Sequence, residues 1–202
     1  MNKKTEHNMS NEEIKRDVQD MLDKLAAAGY AAPDKVRYYN RPSCTNATAT
    51  DCGRKASARY IITINLHNFR LRSKETNELT VVHELAHIET YRMVAACCEE
   101  IRRLTAEAKR SNGSDTCAII KFAYGPLFTT LRRMEHHSLA FARKLIELAD
   151  AVGADWTKHD MGTGRATWHR VRAAEMATRK TVDVDAQHAA NYAKGQQIAI
   201  NF

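Results

Sequence analysis

Val81-Val82-His83-Glu84-Leu85-Ala86-His87 lies inside a stretch, Lys74 to Arg110, that contains neither Gly nor Pro. Val81, Leu85 and Ile88 recur at i, i+4 and i+7, the spacing of one buried helical stripe. On such a helix His83 and His87 stand one turn apart on the same face, so both imidazoles can reach one ion. Glu84 projects beside them, where its carboxylate can take a proton from water activated by that ion. This is why the HExxH pattern needs a helix and carries its Glu between the two histidines. His83 and His87 are therefore candidate metal ligands, and Glu84 is the candidate catalytic base.

A catalytic zinc site needs a third protein ligand. Glu99 and Glu100 lie at least 12 residues beyond His87, about 18 Å along an unbroken helix and out of reach. His136 and His137 fare better. From His87 to Ser111 is 24 residues, or about 36 Å of helix. Ser111-Asn112-Gly113-Ser114 is a turn signal. The 23 residues from Ser114 to His137 cover about 35 Å on the way back if mostly helical. A helical hairpin would bring this pair level with His87, with Gly125-Pro126 interrupting the return arm.

Outward from this core, Ser10 and Glu13 form a capping box ahead of Ile14, Val18, Met21, Leu22 and Leu25 at helical spacing, and Gly29 is a stop signal. Val36 to Asn40 reads as a short strand and residues 41–53 as loop. Tyr60 to Leu66 is dense in β-branched and aromatic residues, the mark of a strand. The spacing predicts another helix from about Ser138 to Ala151, stopped at Gly153. Residues 166–180 read as a basic helix bearing Arg170, Arg172, Arg179 and Lys180. Trp168 on it either stacks a nucleic-acid base or packs inward. His67, His159, His169 and His188 read as surface or hydrogen-bonded residues rather than ligands. The expected fold class is α+β, mostly helical, with a small antiparallel sheet.

Several of these segments resemble, in order, the SprT-like metalloprotease family. Tyr39-Asn40-Arg41, Cys52-Gly53-Arg54 and Ile62-Thr63-Ile64-Asn65 resemble the family's strand, glycine-arginine turn and strand leading to an asparagine. The HExxH element follows, and His137-Ser138-Leu139-Ala140-Phe141 resembles the HGxxF element whose histidine completes the zinc site, with Ser138 in place of the usual Gly. The resemblance covers about residues 12–152. It implies a zincin-like domain over 1–156 with a helical hairpin inserted at about 91–135, and a basic, partly helical extension over 157–202. It also implies His137 rather than His136 as third ligand, Zn²⁺ as cofactor, and hydrolysis of a protein or peptide substrate. The insertion between second and third histidines is longer than in typical members, and no C-terminal zinc ribbon is present. For the oxyanion the residues leave Tyr60, Tyr91, Tyr124, Arg54 and His136 open.

Composition sets the outer bounds. The chain has 202 residues, 44% hydrophobic and 27% charged, with only 8 Gly and 3 Pro, which favours helix over a turn-rich all-β fold. A formal charge of +7 suits an anionic partner such as DNA or RNA, and also an ordinary solvated surface. The polar first ten residues are unlike a signal peptide, and no apolar run approaches a membrane span. The 5 cysteines include no CxxC pair, and an odd number fits reduced thiols in a cytoplasmic protein. The competing reading is a nucleic-acid-binding protein with a structural or vestigial zinc site and no proteolysis.

Overall fold

The computed structural model describes residues 9–53, 57–110, 118, 137, 139–159 and 167–180. Helix α1 (Asn11–Ala27) begins at the expected capping box. Ser10 Oγ accepts from the Glu13 amide at 3.2 Å, and the Glu13 carboxylate accepts from the Ser10 amide at 2.7 Å. Its five spaced apolar residues, Ile14, Val18, Met21, Leu22 and Leu25, are all buried. Gly29 follows with φ +89°, a backbone state that a side chain would strain.

Three strands follow: β1 (Lys35–Tyr39), β2 (Ala47–Asp51) and β3 (Tyr60–Asn65), in the spatial order β1-β3-β2. The sheet is mixed, which corrects the expected antiparallel one. β2 pairs antiparallel with β3, but β1 runs parallel to it, with Val36 opposite Ile62 and Tyr38 opposite Ile64. Two side chains pin that parallel register at its ends. The Asp34 carboxylate, just before β1, accepts from the Arg59 and Tyr60 amides at 2.8 Å each. At the far end, fully buried Asn65 donates through Nδ2 to the carbonyls of Arg41 (3.0 Å) and Thr45 (3.1 Å). β2 falls where the sequence reads as loop. It is an alternating Ala/Thr segment at the sheet edge, held by backbone pairing, with Ala47 its one buried residue. Central β3 is buried along nearly its whole length, as its continuous apolar run requires.

β3 passes directly into a short helix α2 (Leu66–Arg70). Ser73 then starts the long helix α3 (Lys74–Arg110), its Oγ accepting from the Thr76 amide at 3.3 Å. Helix α3 packs against β2 and against α4 (Leu139–Val152). The outbound arm of the expected hairpin is thus a helix through Arg110, whereas the turn and return arm lie outside the described residues. A 3₁₀ turn (Trp156–Lys158) and helix α5 (167–180) close the described chain. Trp156 and Trp168 are both buried in the same core as α1, β3, α3 and α4, so residues beyond 156 take part in that core. Among the described residues no helix is long and apolar enough to cross a membrane.

Candidate metal centre

The first half of α3 lies in the core. Val81, Val82, Leu85, Ala86 and Ile88 are buried, which fixes the helix's rotation and leaves His83 and His87 on one face turned to α4. His137, a turn residue two positions before α4, supplies the third imidazole. His137 has φ +45°, the left-handed region that few non-glycine residues adopt. Holding it there costs on the order of 1 kcal/mol or more, which the surrounding packing must offset.

His83, His87 and His137 converge through the same ring atom. His83 Nε2 lies 3.2 Å from His87 Nε2 and 3.1 Å from His137 Nε2. The ligating atoms of the three all lie within 4.8 Å of one another. Donors arranged tetrahedrally at 2.0–2.1 Å from an ion stand about 3.3 Å apart, so the spacing matches a shared cation. Hydrogen bonds alone serve this arrangement poorly. A single Nε2 offers either one proton or one lone pair, and His83 Nε2 has two ring nitrogens against it. Burial, then the neighbouring imidazoles of His87, His159 and His137, push the His83 pKa down to about 2, so its ring is neutral and its lone pair available. The residues present fit a metal ion.

Phe141, fully buried one turn into α4, touches all three rings. Its centroid is 5.0 Å from His83, 4.4 Å from His87 and 4.9 Å from His137. It forms an apolar wall that keeps water off one side of the cluster, which strengthens every electrostatic interaction there. That is a physical job for the aromatic residue four places after the third histidine.

Glu84 is buried on α3 beside the cluster, 8% exposed. Burial pushes its pKa up to about 7, against which a backbone hydrogen bond from Ala49 on β2 acts weakly. A carboxyl poised near neutrality suits proton transfer in both directions. Glu99 and Glu100, set aside on distance, are instead paired with Arg102 (3.2 Å) and Arg103 (2.6 Å) along the outer part of α3.

Of the five residues considered for the oxyanion, Arg54, Tyr124 and His136 lie outside the described residues. Tyr60 sits between the guanidinium groups of Arg59 and Arg92, at 4.8 and 5.0 Å from its ring. Tyr91 stacks on His87, with centroids 6.2 Å apart, and is the described candidate in contact with the cluster.

His159, expected at the surface or hydrogen-bonded rather than as a ligand, is hydrogen-bonded, and its partner is what sequence reasoning missed: its Nε2 lies 3.0 Å from His83 Nδ1, on the ring edge opposite the convergence point. Nothing local in the sequence marks it; the only signal is the pair of tryptophans that flank it. Trp168 packs inward, 1% exposed, and donates through Nε1 to the His159 carbonyl at 3.1 Å, so no face of its ring is open to a base. No family model matches the chain, and neither a curated protein nor a solved structure matches it.

Proposed function

We propose that this chain is a zinc-dependent metallopeptidase of the SprT-like type, with His83, His87 and His137 as ligands and Glu84 as general base. The observation that carries the reading is the convergence of three Nε2 atoms from α3 and from the turn ahead of α4, together with the buried carboxyl of Glu84, next to His83 in the chain and raised towards neutrality. Three imidazole nitrogens are a donor set of hydrolytic zinc, whose fourth position is left to water or substrate. Zn²⁺ bound there would act as a Lewis acid, polarising a substrate carbonyl and lowering the pKa of water towards about 7.

The chain's own residues account for the remaining steps. Glu84 accepts a proton from the attacking water as the new C–O bond forms, then delivers it to the amine as the C–N bond breaks. Phe141 shields the histidines on one side, and β2 walls the site at Ala49. Substrates that sit on nucleic acid are what the family resemblance implies, and the net charge of +7 adds only weak support for them.

Glu84→Gln tests the reading. The variant should retain zinc while cleavage of an unfolded protein substrate falls by about 10²- to 10⁴-fold. Undiminished cleavage in that variant refutes the role of Glu84. Salt-sensitive DNA binding, unchanged by the substitution and with no proteolysis in wild type, would favour the structural-zinc alternative.

A further inference from the structure

We propose that His159 is a positioning residue for the metal centre: its Nε2 accepts the Nδ1–H of His83 and so fixes the tautomer and ring plane in which His83 presents Nε2. This rests on the three-histidine reading and assigns a role to a residue outside the ligand set.

The argument follows the protons. Convergence of the three Nε2 atoms requires a lone pair on Nε2 of His83, which puts that ring's proton on Nδ1. An Nδ1–H in this part-buried position needs an acceptor, and His159 Nε2 stands 3.0 Å away. His159 must then carry its own proton on Nδ1. Because Nδ1 and Nε2 point away from opposite edges of the His83 ring, His159 cannot be a fourth ligand in this arrangement. It is an outer partner of the kind that orients a metal-bound imidazole and raises its basicity.

His159 is itself held on several sides. Its amide donates to the Trp156 carbonyl at 3.1 Å, closing the 3₁₀ turn, and Asp155 caps that turn through the Thr157 amide at 3.1 Å. Its carbonyl accepts from Trp168 Nε1, and its ring meets the Trp168 ring edge-on, 5.8 Å between centroids. Trp156 in turn donates to Asp150 on α4 at 3.0 Å, and Arg179 on α5 pairs with the same carboxylate at 3.1 Å. A continuous set of contacts therefore joins the docking of residues 156–159 and of α5 to the orientation of His83.

The test is Zn²⁺ affinity of the full chain, measured by competition with a chromogenic chelator. His159→Ala should weaken Zn²⁺ binding by about 10- to 100-fold, whereas His159→Gln, whose Oε1 can accept the same proton, should stay within about threefold of wild type. His169→Ala, on the exposed side of α5, should change nothing. Wild-type affinity in His159→Ala overturns the proposal while leaving the three-histidine site intact; equal losses in the Ala and Gln variants overturn it too. Failure of wild type to bind Zn²⁺ would instead sink the parent reading. Should the variants not fold, ¹⁵N spectra of zinc-loaded wild type decide. A coupling across the hydrogen bond between His83 Nδ1 and His159 Nε2 is expected, and a His83 Nδ1–H exchanging freely with solvent contradicts it.

Discussion

The two halves of α3 obey the same helical geometry and are held by different forces. From Asn77 to Thr90 the helix contributes ten buried residues, whereas from Tyr91 onward only Ala108 is buried. The outer half carries ion pairs along its own surface: Arg102 with Glu99, and Arg103 with both Glu100 and Glu107. Such pairs are worth little each, because water screens them and long side chains must be ordered to form them. The inner half is fixed by packing at the density of a solid, which is what a metal centre needs if its donors are to be placed within a few tenths of an ångström. His83, Glu84 and His87 sit in the half that packing holds.

The contrast can be broken most sharply at Ile88, fully buried one residue past His87. Ile88→Ala should destabilise the protein by about 2–5 kcal/mol in denaturant titrations, through lost burial and the cavity left behind. A cost below about 1 kcal/mol would mean that this half is not held by packing.

A second effect separates function from stability within the inner half. In metal-free protein the raised pKa of Glu84 means that the fold favours the protonated carboxyl. That contribution is present below the ordinary carboxyl range and is lost as pH rises through about 7. Metal-free Glu84→Gln should therefore match wild type near pH 4 and exceed it near pH 8, by about 3 kcal/mol at most. Equal stabilities at both pH values would show that Glu84 is not desolvated. The smallest effect belongs to the outer half. Arg103→Ala, which removes two exposed ion pairs, should leave the thermal midpoint unchanged within error. A clear drop would show that this segment is braced by more than its own surface.

What could be read from the sequence follows the range of the interactions involved. His83, Glu84 and His87 were legible because a helix fixes their relation locally, and α1 was legible from its cap and its stripe. His137 needed arithmetic over a long insertion together with a family resemblance, and the structure brings its Nε2 to His83. The parallel pairing of β1 with β3 was not legible, because β2 intervenes in the chain but lies on the other side of β3. The bonds that fix that register join Asp34 to Arg59 and Tyr60, some 25 positions away. β2 itself alternates only Ala with Thr, an apolar contrast too weak to announce a strand, and it is an edge that backbone bonds hold. His159 was illegible for a related reason. Its role depends on a single-turn element docked by two tryptophans, with no periodicity to announce it.

The most direct test of the whole account is the metal content of purified chain, by elemental analysis, in wild type, Glu84→Gln, His83→Ala and His137→Ala. Three imidazole ligands predict about one zinc ion per chain in the first two proteins and almost none in the last two. Stoichiometric zinc persisting in His137→Ala, or its absence from wild type, would contradict the claim that His137 shares one ion with the two histidines of α3.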